Sequence, residues 1–230
     1  RLRSRDIHKI VDVFNKQLTL PGYARLVPFS EIEKNEYNLN IPRYIDSSEP
    51  EDMHDLYAHL NGGIPQRDID ELDAYWQVFP TLRRSLFRPN GQPGYSEALV
   101  AAGQVKATIL HHPEFQTFKV ETLARYEAWR EAHADRLYGL AVGDDPKALI
   151  FDLSEELLAR FAGAALMDKY AVYQLIMDYW AETMQDDGYV ITQDGWAAGG
   201  VLRELKTTNG ERSRETPDLV LNRRKYKADL

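Results

Sequence analysis

A mainly α-helical fold with a few short strands is what this sequence of 230 residues predicts. Apolar residues recur at helical spacing through most of the chain after residue 46, whereas alternation with period two is confined to short runs. Gly, Pro and Asn clusters fall where one helix would stop and the next begin.

Taken in order, Ile7, Ile10, Val11, Phe14 and Leu18 keep helical spacing behind Ser4 as N-cap, and Pro21-Gly22 ends that amphipathic helix. Ala24 to Phe29 reads as a short strand, and Ser30 with Glu33 gives the capping-box pattern of a brief helical turn. Tyr37-Asn38-Leu39-Asn40-Ile41 alternates apolar and amide side chains, as a half-buried strand does, before Pro42. The Ser, Glu and Pro content of Asp46 to Pro50 marks a boundary, which divides the chain into 1–45, a helical 46–200 and a polar, basic tail, 201–230.

Beyond the boundary a helix is expected from Pro50 through Leu60, closed by Asn61-Gly62-Gly63. Ile69, Leu72, Trp76, Phe79, Leu82 and Leu86 hold the spacing across Pro80, which predicts one helix kinked near Phe79. Residues 88–96, with two prolines and two glycines, read as a loop, and Ala98 to Leu110 is ambiguous. His112-Pro113 opens a long amphipathic helix that Gly143-Asp144-Asp145-Pro146 ends, and a helix pair fills 154–187 with Gly163 near the join. In the second helix of that pair Tyr170, Tyr173, Met177, Trp180 and Met184 belong to a nearly all-round apolar surface, which predicts a central strut buried on most sides, a core or interface element. Tyr189 to Thr192 and Val201 to Lys206 read as strands.

Composition excludes several classes. With 43% hydrophobic and 28% charged residues the chain is ordinary globular material. It has no cysteine, which rules out disulfides, thiolate metal sites and a cysteine nucleophile within these residues. The longest apolar stretch, Phe161 to Met167, falls far short of the roughly 20 residues that span a bilayer. The polar start Arg1-Leu2-Arg3-Ser4-Arg5-Asp6 has no signal-peptide pattern, so a cytoplasmic location is expected, and Arg1 in place of methionine suggests a piece of something longer. Net charge is −8, unevenly spread: residues 151–200 hold 2 basic and 9 acidic side chains, while 201–230 hold 8 basic and 5 acidic.

Chemistry is sparse. The six histidines show no metal-ligand spacing, Asn61-Gly62-Gly63 and Ala198-Gly199-Gly200 lack the strand-to-helix setting of a phosphate loop, and no Gly-x-Ser-x-Gly elbow occurs. No catalytic, cofactor-binding or metal-binding residue is assigned. Glu204 and Lys206 on a probable strand, with Asp194 before them, form the one enzyme-like grouping, that of a metal-dependent nuclease, against the alternative of a solvated strand face. Two basic clusters, Arg83, Arg84 and Arg88, and Arg223, Arg224, Lys225 and Lys227, are candidate contacts to a DNA backbone; otherwise they are solvated helix ends.

Two passages carry a resemblance. Phe29 to Ile45, with its Glu31-Ile32 and its Tyr37-Asn38-Leu39-Asn40-Ile41 ahead of Arg43-Tyr44, resembles the segment that closes the catalytic domain of type I restriction–modification methyltransferase (M) subunits. Asp168 to Asp187 looks like a helix of the C-terminal region of the same subunits. That resemblance implies a DNA adenine N6-methyltransferase that uses S-adenosylmethionine, with residues 1–45 as the end of the α/β catalytic domain. It also implies assembly with the specificity (S) subunit, a second M subunit, the restriction (R) subunit and duplex DNA. The family's cofactor loop and Asn-Pro-Pro-aromatic motif are absent from this sequence. The resemblance therefore implies an assembly and DNA-proximal region, inactive by itself, that binds no cofactor. The nuclease and a purely protein-binding helical scaffold stand as the alternatives.

Overall fold

The structure is a computed structural model and describes residues 2–48 and 54–197. It is mainly helical and falls into two compact units, Arg1–His112 and Pro113–Leu230. None of the described helices is long and apolar enough to cross a membrane.

In the first unit, α1 (Ser4–Asn15) forms as its spacing predicts, but one residue earlier at its cap. Arg3 is the N-cap, and its N–H donates to Asp6 Oδ2 at 2.9 Å, which holds the Asp6 carboxyl below its ordinary range. After the turn closed by the Leu20–Ala24 bridge, the chain forms α2 (Phe29–Lys34) and a short 3-10 turn, Ile41–Arg43. Neither strand expected at 24–29 or 37–41 forms. Glu36 and Tyr37 both take positive φ, which breaks the extended path, and Arg25 instead clamps this stretch through Glu31 (2.6 and 2.9 Å) and the Tyr44 carbonyl (3.4 Å).

The helix expected from Pro50 starts at Leu56 instead: α3 (Leu56–Asn61) is capped by Asp55, whose Oδ1 accepts from Ala58 N at 3.0 Å. That bond, more than the Tyr95 hydroxyl or the Arg67 guanidinium beside it, holds the Asp55 carboxyl below its usual range. Gly62 (φ 78°) ends α3 as predicted. Then follow β1 (Ile64–Pro65), α4 (Gln66–Asp70), α5 (Asp73–Val78), α6 (Pro80–Leu86), β2 (Phe87–Pro89), β3 (Tyr95–Ala98) and α7 (Val105–His111). The break at Phe79 is complete rather than a kink. Pro80 supplies no N–H and pushes the residue before it out of the helical region, and Phe79 sits at φ −124°, ψ 62°. The presumed loop at 88–96 is a hairpin, with Gly91 and Gly94 at positive φ in its turn. Its strands join β1 in a three-stranded antiparallel sheet of order β1-β3-β2, with Ile64 opposite Ser96 and Phe87 opposite Ala98. Ile69, Trp76, Phe79, Leu82 and Leu86 are the buried hydrophobic residues of this unit.

The second unit is a helical bundle of α8 (Pro113–Tyr138), α9 (Pro146–Arg160), α10 (Lys169–Tyr179) and α11 (Gln185–Asp194), with a π turn over Trp180–Met184. Pro146 occupies the first turn of α9 behind Asp145, whose carboxylate accepts from Lys147 N at 2.8 Å; α9 therefore starts eight residues before the expected 154. Tyr189–Thr192 lies inside α11, not in a strand, because Ile191 and Thr192 pack inward one helical turn on from Asp187 and Gly188. Trp129, Leu153, Leu157, Phe161, Trp180 and Ile191 make the core. The strand expected at Val201 to Lys206 lies outside the described residues.

Leu153 is 2% exposed, so Leu153→Ala should cost about 2–5 kcal/mol in urea unfolding followed by circular dichroism. Phe151, two residues away and 61% exposed, should tolerate alanine to within about 0.5 kcal/mol in the same measurement. The lowered pKa of Asp55 gives the cap of α3 a defined pH dependence. Its contribution is whole above the ordinary carboxylate range, near about 4, and is lost as pH falls through the lower folded-state value. In acid titrations of thermal stability, Asp55→Asn should remove that part of the acid-induced loss.

Candidate functional site

Three of the predicted DNA-contact residues converge. Arg83 and Arg84 from α6 and Arg88 from β2 line one groove of about 480 Å³ in the first unit, which Trp76 and Phe87 also line. The short helix and the strand directly after it bring them together, since β2 begins where α6 ends. The three are not equivalent. Arg83 is committed to Asp70, and Arg88 Nε lies 2.5 Å from Glu97 Oε1, its cross-strand neighbour. Arg84 is exposed and makes no ion pair or side-chain hydrogen bond among the described residues. Inside the groove Ser96 is buried, and its hydroxyl donates to Gln66 Oε1 at 3.0 Å. The second predicted cluster, Arg223, Arg224, Lys225 and Lys227, lies outside the described residues.

The predicted strut divides between core and surface. Tyr170, Tyr173 and Trp180 are buried, and burial pushes the Tyr173 hydroxyl above its usual pKa. Met177 and Met184 are half-buried against the core, but Leu175 on the same helix is 70% exposed, so α10 is not covered all round. It walls an apolar groove of about 320 Å³, which Tyr126, Trp129, Leu153, Ile176 and Met184 help to line. Sequence periodicity finds the apolar residues but not the opening. The opening follows from the spacing of α8, α9 and α10, and from the π turn that carries Trp180 inward.

A third surface escaped prediction. On α1 the side facing its own chain is the polar one: Asp12 is 7% exposed, 2.7 Å from Lys16 Nζ and 3.7 Å from His8 Nδ1, and the Lys9 ammonium sits 4.2 Å from the centre of the Tyr23 ring. The opposite side carries Ile7, Ile10, Val11 and Phe14, all exposed, Phe14 at 81%. Amphipathic spacing gives the presence of such a face, not which side the chain packs against.

The described residues contain no cluster of His, Asp and Glu able to hold a metal ion. Asp194 closes α11, while Glu204 and Lys206 lie outside the described residues, so the nuclease grouping has no support here. S-adenosylmethionine finds no fitting place in the described residues either. The sheet is three short antiparallel strands, and no glycine-rich turn leads from a strand into a helix.

Comparison with known proteins places one end of the chain. The model of the family "N-6 DNA Methylase" matches residues 1–53, which contain α1 and α2. The type I restriction enzyme MjaVII methylase subunit of Methanocaldococcus jannaschii is 40% identical over 60 residues, 26% of this chain and 10% of that protein. The MjaVIII methylase subunit of the same organism is 33% identical over 64 residues, 26% of this chain and 11% of that protein. The chain thus covers about a tenth of the length of these relatives, and no solved structure matches it. Residues 1–53 are thus similar to the N-6 DNA methylase family, and the two relatives are methylase subunits of type I restriction enzymes.

Proposed function

We propose that the chain is the C-terminal portion of the modification subunit of a type I restriction–modification enzyme, a DNA adenine N6-methyltransferase dependent on S-adenosylmethionine. In this reading residues 1–45 finish the catalytic domain, and 46–200 form a helical assembly and DNA-proximal region. The portion transfers no methyl group by itself and holds no cofactor; its partners are the specificity subunit, a second modification subunit, the restriction subunit and duplex DNA. The enzyme works in the cytoplasm.

One observation carries the reading. Within the segment that matches the methylase family, α1 turns its polar side to its own chain and its apolar side outward. A helix built that way belongs against another apolar layer, and the body of a methylase domain is the layer its family membership supplies. In the full-length subunit, the pair Ile10→Lys and Phe14→Lys should abolish soluble, active methyltransferase. In the present chain alone the same pair should leave the thermal melting temperature unchanged. A large destabilisation of the isolated chain would show that the face is buried within it and would sink the reading.

For duplex DNA the groove of Arg83, Arg84 and Arg88 is the contact surface. Arg84 has no carboxylate to release, so it is the one that meets a phosphate at least cost. Arg84→Ala should lower the slope of log affinity against log salt by about 1 in anisotropy titrations of the assembled enzyme. Arg83→Ala should instead weaken the packing of α6 on α4 and lower the melting temperature. Unchanged salt dependence in Arg84→Ala would leave a scaffold that binds only protein.

A further inference from the structure

Three arginines line the groove of the first unit, yet it presents little free positive charge. Arg83 pairs with Asp70, Arg88 pairs with Glu97, and Asp73 lines the groove as well, so three carboxylates stand against three cations. A groove balanced in this way exerts little long-range pull on a polyanion. What it binds therefore depends on how firmly each pair is held.

The two pairs are held differently. Asp70 is braced, because Gln66 Nε2 donates to its Oδ1 at 3.0 Å and Gln66 Oε1 in turn accepts from the hydroxyl of buried Ser96 at 3.0 Å. That chain of bonds ties α6 to α4 and β3, and Arg83 is spent on it. The pair on the hairpin has no brace. Arg88 and Glu97 face each other across β2 and β3 with side chains 63% and 43% exposed, and each is the other's only polar side-chain partner among the described residues. Their contact runs through Arg88 Nε, which leaves both Nη amino groups without an acceptor among the described residues. An exposed pair of this kind is weak. A phosphate offers the same guanidinium two parallel charge-assisted bonds and releases counterions as it does so.

We propose that Arg88 is a second DNA-backbone contact beside Arg84, and that Glu97 restrains it. The proposal rests on the reading of this groove as the contact surface for duplex DNA. A phosphate meets the Nη groups of Arg88 and takes up the positive charge that Glu97 neutralises in the free protein. Binding then proceeds on Arg84 first, whose charge is already available, and gains Arg88 only against the pull of Glu97. Phosphate contacts carry no base information, so the restraint weakens binding to every sequence alike. Glu97 is in this sense a brake on non-specific capture.

Anisotropy titrations of the assembled enzyme with a duplex oligonucleotide test this. Glu97→Gln keeps an acceptor for Arg88 Nε and removes the charge, and it should tighten binding about three- to fivefold at fixed salt. Asp73→Asn is the control for charge alone. Asp73 accepts from Gln77 Nε2 at 2.6 Å and makes no ion pair among the described residues, so its removal frees no arginine and should gain less than about half as much. Arg88→Ala should lower the slope of log affinity against log salt by about 1. Because the hairpin pair is exposed, neither Glu97→Gln nor Arg88→Ala should move the melting temperature by more than a few degrees. No gain in Glu97→Gln, an equal gain in Asp73→Asn, or an unaltered slope in Arg88→Ala would overturn the proposal. If Arg84→Ala still lowers the slope in that case, the groove remains a DNA surface and only the role of Glu97 and Arg88 falls. An unaltered slope in Arg84→Ala as well as in Arg88→Ala would remove the groove from DNA binding altogether.

Discussion

Burial of one indole organises the helical unit. Trp129 of α8 is 4% exposed, and its Nε1–H donates to the Leu153 carbonyl of α9 at 3.1 Å, so the largest apolar side chain in the contact is also its polar tether. Tyr126 and His133 lie three and four residues away on the same helix face, with ring centroids 5.7 and 5.4 Å from the indole. His133 adds a second tie, its ring nitrogens 2.7 Å from the Trp129 carbonyl and from Glu156 Oε2 on α9. With α8 and α9 locked, α10 lays Tyr170 and Tyr173 on Leu158. The π turn then delivers Trp180 into the same core, where it packs on Gly188 of α11; a β-carbon at 188 would lie 3.3 Å from the indole. Each later element rests on the geometry that the first tryptophan sets.

That dependence explains what the sequence disclosed and what it withheld. The long helix after Pro113 and the cap at Gly62 were legible because each rests on local chemistry, periodic apolar residues in the one case and a left-handed glycine in the other. Tyr189-Val190-Ile191-Thr192 read as a strand because β-branched residues cluster there, yet Ile191 is 2% exposed inside α11. Tertiary packing on Trp180 and Leu140 outweighs a propensity difference of a few tenths of a kcal/mol per residue. The strand pattern at 37–41 failed for the opposite reason. Alternation stabilises a strand only beside another strand, and the chain instead turns through positive φ at Glu36 and at Tyr37, the first residue of the pattern.

The candidate surfaces divide in the same way. Basic residues at 83, 84 and 88 were visible as a cluster, but their inequality was not. It depends on Asp70, thirteen residues from Arg83, and on Glu97, nine residues from Arg88 across a hairpin that the proline and glycine content disguised as a loop. Residue type locates charge, whereas pairing across elements decides which charge is available.

The outward face of α1 has an energetic consequence of its own. Fully burying a Val, Leu, Ile or Phe side chain stabilises by about 1.5–3 kcal/mol. Ile7, Ile10, Val11 and Phe14 are each roughly half or more exposed, so covering all four is worth several kcal/mol before any cost of association. Whole domains are stable by about 5–15 kcal/mol, so this face alone carries a sizeable share of what a covering layer would gain. The polar side of the helix cannot substitute for it. Asp12 pairs with Lys16 and lies 3.7 Å from His8 Nδ1 on the same helix, so that side offers a covering layer polar groups and little apolar area. Asp12 is buried on the other side of α1, so the apolar stripe is the exposed side of the helix, the surface that the proposed covering layer would engage.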